Sequence, residues 1–170
     1  SSSTVLYGDQ TYKAEPGGGK ILQVTQGTSA SQTIHSTTTT YTASAISGTI
    51  TPSSTDSKVF VVCWFLANVG NNPANLCGGG LKIYKDVGGG GYSALWPSSV
   101  GSVPFSLATN TNSELGKRNY QSISYLDSPS TISAITYKIY GAAGPSGYGN
   151  MTTSPDSTSA SVIMFEIDGS

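Results

Sequence analysis

Residues able to do acid–base, nucleophilic or metal chemistry are sparse in this 170-residue chain. The single histidine, His35, lies in a Thr- and Ser-rich stretch from Ser31 to Thr40. A serine–histidine–acid relay would have to use it, because the histidine takes the serine proton. No Gly-x-Ser-x-Gly turn is present to expose a nucleophilic serine. The surroundings of His35 suit a surface or edge-strand residue better than a catalytic base. Glycoside cleavage needs two carboxyl groups facing each other across the scissile bond. The acids are Asp9, Glu15, Asp56, Asp86, Glu114, Asp127, Asp156, Glu166 and Asp168, most of them in turn-like segments or near the ends. Gly88-Gly89-Gly90-Gly91 lacks the following Lys-Ser/Thr and the helix that a phosphate cradle needs. Cys63 and Cys77, with one histidine remote in sequence, do not make a zinc set. No catalytic residue, metal site or cofactor is expected, and the chain reads as a non-enzyme.

Binding is the chemistry left open. Tyr92, Trp96, Phe105 and Tyr148 lie in or beside Gly- and Pro-rich segments. Exposed there, they would stack on sugar rings and give rigid contact area. The alternative is that they plug the ends of the fold or line a subunit interface. Charged residues make up 10% of the chain and the net charge is −1, with no basic cluster, so nucleic acid is not an expected partner. A surface dominated by Ser, Thr and Gly offers hydrogen bonds and little long-range field, which suits sugars or other protein surfaces. Weak repulsion between copies also tolerates dense packing. No stretch approaches the roughly 20 apolar residues of a membrane-spanning helix. Asn150-Met151-Thr152 is a formal glycosylation sequon, of the kind chance supplies in Ser/Thr-rich chains.

The element on which such side chains must be mounted is the run from Ser57 to Val69. It is rich in β-branched and aromatic residues and reads as a strand. Thr51–Asp56 opens it, and Gly70-Asn71-Asn72-Pro73 closes it. Alternation puts Val59, Val61, Cys63 and Phe65 on one face and Phe60, Val62, Trp64 and Leu66 on the other. Both sets are apolar, whereas an antiparallel sheet with one wet face shows polar alternation there. The strand is therefore expected to be covered twice. Phe60, Val62, Trp64 and Leu66 are the candidate oligomer interface, with cover by the chain's own loops as the alternative.

Other strands are expected over 20–26, weakly over 31–40, and over 42–50, where Ile46 and Ile50 share a side. Further strands follow within 76–87, at 120–126, at 133–140 with Ile135, Tyr137 and Ile139 on one face, and at 160–167. Residues 92–119 read as a loop excursion with short strands, and 141–155 as loop. Gly78-Gly79-Gly80 marks a bulge or a close backbone approach. If 57–69 and 76–87 form a hairpin turning near Gly70, Cys63 and Cys77 could bridge; two buried free thiols are the alternative. No 3.6-residue period appears, and strands recur every 10–15 residues or so between turn signals, the pattern of an antiparallel β-sandwich or jelly roll. Residues 1–19 read as an N-terminal linker or arm, and 20–168 as one domain.

Several stretches together carry a resemblance. They are Gly19-Lys20-Ile21-Leu22-Gln23-Val24, the segment Ile50 to Val59 with Thr51-Pro52-Ser53-Ser54-Thr55-Asp56, and Ser124 to Thr131 followed by Thr136-Tyr137-Lys138-Ile139. The ending Ile163-Met164-Phe165-Glu166-Ile167 fits as well. In order and spacing they resemble virion structural proteins of tailed phages, aquatic and cyanobacterial ones especially, over about residues 19–167. Thr4 to Tyr12 resembles turn-rich linkers before fibre domains, with Gln10 where Gly is usual. The resemblance implies a virion-surface location, a homotrimer and contact with other virion proteins. A fibre tip that binds a host-surface glycan or protein is the leading expectation. A capsid decoration protein clamping neighbouring shell subunits is the alternative. The residues that carry the likeness are scaffold residues: Pro52 and Pro129 fix turns, and Asp56 and Asp127 suit bonds to turn amides.

Overall fold

In the computed structural model the described residues are 4–6, 12–14, 20–35, 40–69, 77–96, 103–107, 117–143, 151–154 and 159–169. The strands among them are, in chain order, β1 (Thr4–Leu6), β2 (Tyr12–Ala14), β3 (Ile21–Ser29), β4 (Thr33–His35), β5 (Thr42–Ile50) and β6 (Lys58–Val69). They continue as β7 (Cys77–Val87), β8 (Ser93–Trp96), β9 (Val103–Leu107), β10 (Lys117–Asp127), β11 (Ile135–Ala143), β12 (Met151–Thr153) and β13 (Ala160–Ile167).

Strand β6 is the axis of the larger sheet. It pairs antiparallel with β10 along Val59–Val69 on one side. On the other it meets β13 and then β12, with β3 beyond β13 and β4 beyond β12. The smaller sheet runs β5-β11-β7, and both β8 and β9 lie along β7. All these pairings are antiparallel, and the two sheets close on one core. Alternation builds that core as expected. Val59, Val61, Cys63 and Phe65 from β6 meet Ile135, Tyr137 and Ile139 from β11, and all are buried. Ile46 and Ile50 join them from β5. Each such side chain contributes roughly 1.5–3 kcal/mol by leaving water.

One side of the sandwich is closed by contact between the edge strands β3 and β5. Thr25 Oγ1 donates to the Thr49 carbonyl at 3.1 Å there. A Cβ at Gly27 would meet backbone of Ser47 and Gly48, so only glycine lets the strands come this near. Gly79, in the expected glycine run, approaches the Met151 side chain and the Ala142 carbonyl in the same manner.

Several expectations change. Strands β6 and β7 do not form a hairpin: they belong to opposite sheets, because β10 and β13 take both edges of β6. Cys63 is a free, buried thiol, pushed up to about 12 by burial; the side chain of Cys77 lies outside the described residues. The stretch 31–40 contributes three strand residues; its His35 lies on the edge strand β4, one of the two settings expected for it, but is buried rather than at the surface. The loop expected at 141–155 contains β12. Within the expected linker, β1 and β2 pair, with Thr4 opposite Ala14.

Candidate functional site

The groups that could do chemistry are mostly spent on holding the sandwich together. His35 Nδ1 lies 2.7 Å from Thr42 Oγ1, and its Nε2 3.3 Å from Thr153 Oγ1. Burial lowers its pKa to about 4, so the ring is neutral, and no serine–acid pair frames it among the described residues. Glu166 faces the core edge, where its Oε1 accepts from the Ser53 amide, Ser53 Oγ and Ser57 Oγ, each at 2.7 Å. Its Oε2 accepts from Gln23 Nε2 at 2.6 Å. Burial alone would raise this carboxyl; the hydrogen bonds outweigh it and hold the group at about 2. Asp127 does not cap turn amides as expected. It lies at the end of β10 and accepts from Lys85 Nζ at 2.9 and 3.0 Å and from Tyr137 Oη at 2.9 Å, linking the two sheets. Burial first, and then Asp127, raise the Tyr137 pKa. No three His, Cys, Asp or Glu side chains gather as a metal site among the described residues.

The outward faces of the two sheets remain, and they differ chemically. On the larger sheet, register places Val24, Phe165, Phe60 and Leu126 in one row across β3, β13, β6 and β10. The next row holds Gln26, Ile163, Val62 and Ser124, and the next Thr28, Ser161, Trp64 and Ser122. Val24 is 54% exposed, Leu126 47% and Trp64 42%. The Phe60 and Phe165 rings lie 6.3 Å apart, and Trp64 lies 6.1 Å from Tyr120. Leu66 departs from this set: it is only 8% exposed, at the end of β6 where the Ser154 amide bonds its carbonyl. The second face of β6 is thus exposed at Trp64, half-buried at Phe60 and Val62, and buried at Leu66.

The outward face of the smaller sheet is aromatic and cationic. Lys138 on β11 stands opposite Tyr84 on β7, and Tyr140 opposite Lys82. Tyr84 and Tyr140 stack with centroids 3.9 Å apart and planes at 22°. Tyr92, just beyond the β7 turn, tilts over Tyr140 at 5.9 Å. Lys138 Nζ sits 4.9 Å from the Tyr92 centroid, and Lys82 Nζ 4.8 Å from that of Tyr41. Burial, and then Tyr92, Tyr84 and Asp86, raise the Tyr140 pKa, so its hydroxyl stays protonated.

Of the four aromatics singled out in sequence, Tyr92 therefore joins a cluster, whereas Trp96 packs inward, 6.0 Å from Tyr125 and against the core. Phe105 belongs to β9, but its side chain, and all of Tyr148, lie outside the described residues. Sequence reasoning did not single out Tyr84, Lys138 and Tyr140. Their signal was the alternation itself: once Ile135, Tyr137 and Ile139 are assigned inward, Lys138 and Tyr140 must point out.

The geometry defines an antiparallel two-sheet sandwich. No protein-family model matches the chain, and none of the curated proteins does. Among solved structures it resembles a chain from the infectious bursal disease virus Gx strain at TM-score 0.47 and 11% identity, covering 98% of this chain and 36% of that one. A second likeness is to a chain of the VP2 subviral particle of the same virus, at TM-score 0.45 and 10% identity, covering 88% of this chain and 34% of that one. A third is to a chain of its T13 viral particle, at TM-score 0.44 and 10% identity, covering 93% and 39%. The chain thus spans well under two thirds of those chains, and likeness of this degree carries no argument about function.

Proposed function

We propose that this chain is a non-enzymatic structural module of a virus particle surface, a fibre-tip domain that assembles with identical copies, as a trimer, and meets the host surface. The observation that carries the assembly part is the apolar row Val24–Phe165–Phe60–Leu126 with Ile163, Val62 and Trp64 beside it. A contiguous apolar face of this kind is costly in water and marks a protein contact. A net charge of −1 leaves little repulsion between copies. The virion setting rests on the sequence resemblance. In that setting Tyr92 and its neighbours face away from the assembly contact, on the opposite sheet.

Light scattering on the purified chain tests the assembly. The parent is expected to be an oligomer, and Val62→Asp, which puts a charge in the middle of the face, a folded monomer. A folded monomer in both would overturn it. Counting copies per particle by mass spectrometry separates a fibre, with few copies, from a shell decoration, with hundreds.

A further inference from the structure

We infer that the free edge of β10 pairs antiparallel with β10 of a second copy of this chain, about a two-fold axis through Ile123. This goes beyond the reading above, which concerns the face of the larger sheet and not its edge. β6 takes one side of β10 along its whole 11-residue length with no register shift, and no described strand takes the other. The run from Asn119 to Leu126 holds no charge, proline or glycine, the devices that keep a bare edge from recruiting another strand. The other edges among the described strands are occupied or blunted. β3 and β5 close on each other. β1, β2 and β4 have three residues each, β8 has four, and β9 carries Pro104. The long plain edge is that of β10, and its main-chain donors and acceptors suit a strand from outside.

The side chains of β10 choose the partner. A two-fold axis normal to the sheet keeps outward residues on one face, so even-numbered residues meet even-numbered ones. Centred on Ile123, Ser122 stands opposite the partner's Ser124, Gln121 opposite the partner's Tyr125, and Tyr120 opposite the partner's Leu126. Tyr120 is 66% exposed, and Leu126 is the exposed end of the row Val24–Phe165–Phe60–Leu126. The Tyr120 ring lies 6.1 Å from that of Trp64 in its own chain. Pairing therefore carries the apolar row of each copy on into the Tyr120–Trp64 pair of the other. Shifting the axis by one residue loses this match. Centred on Ser122, Leu126 would face the partner's Arg118; centred on Ser124, it would face the partner's Ser122. The apolar pattern thus fixes the register. Like charges do not meet, because Asp127, the one charge from Asn119 to Asp127, faces the partner's Asn119 and is held by Lys85.

The test is disulfide trapping on the full chain. Copies carrying Ser122→Cys and copies carrying Ser124→Cys are mixed and oxidised, with the parent chain giving the background from Cys63 and Cys77. Both serines are exposed, so neither change touches the core. The mixture is expected to give a linked dimer and each variant alone none above background, because Ser122 meets Ser124 and not itself. One strand pair is a small, exchanging contact that oxidation traps, so it does not alter the monomer expected of Val62→Asp in light scattering. Adding Tyr120→Lys to the first copy is expected to slow linking about fivefold, and Leu126→Glu on the second to restore it, since the two new charges meet only in this register. No link in the mixture, a link in either variant alone, or no restoration would overturn the inference. A parent that forms trimers without the mixed link ends this inference and leaves the face reading standing. A mixed link in a parent whose size Val62→Asp leaves unchanged does the reverse.

Discussion

Glu166 and His35 are buried titratable groups whose pKa values both fall in the fold, one through hydrogen bonds to the charged form and the other through burial, and together they make stability depend on acid. His35 binds its proton at about 4 in the fold, against 6.5 when unfolded. As pH falls below about 6.5 the unfolded chain gains a proton first, so stability present above that value is lost toward pH 4. Glu166 is held at about 2 against 4.5. Its contribution is present above about 4.5 and is lost as pH falls through 2. Thermal melts should therefore show two descending steps. His35→Gln is expected to flatten the upper step, and Glu166→Gln the lower. Glu166→Gln should also lose about 2 kcal/mol at neutral pH, since the carboxylate accepts four donors on two oxygens and an amide turns one of those oxygens into a donor. An upper step of unchanged size in His35→Gln would show that another group titrates there. The identities of both residues were plain in the sequence, but their roles were not. Glu166 gathers Gln23, Ser53 and Ser57 from far along the chain, and no local spacing announces such a knot.

At the scale of elements, the approach of β3 to β5 depends on one missing side chain. Gly27→Ala would drive a methyl group into the backbone of Ser47 and Gly48, which cannot rotate away as a side chain could. We expect a loss of about 2–3 kcal/mol in urea unfolding. Thr28→Ala, exposed on the neighbouring position, should change stability by under about 0.5 kcal/mol. Similar midpoints for the two variants would mean that the strands can separate at that edge without cost. Most strands were legible from composition and alternation: β5, β6, β11 and β13 fall where turn signals and apolar period place them. The three-residue β12 was not, because its ordering comes from β6 and β4 on its two sides rather than from its own sequence.

For the whole molecule, the two outer faces differ in chemistry: largely apolar on the larger sheet, tyrosine and lysine on the smaller. Folding coupled to association makes stability depend on concentration. The melting temperature is therefore expected to rise with protein concentration in the parent and to be independent of it in Val62→Asp. A concentration-independent parent melt would place the apolar face in solvent and remove the reason for assembly. The doubly apolar pattern of β6 is legible in the order of its residues, since side-chain alternation is local and follows from strand geometry alone. Which strands flank β6 is not. Cys63 and Cys77 lie close in sequence yet on opposite sheets, because pairing is settled by which distant segments bury the most surface once the chain closes on itself. The same closure sets Tyr92 beside Tyr84 and Tyr140 and takes Trp96 inward, so this aromatic cluster exists only in the folded chain.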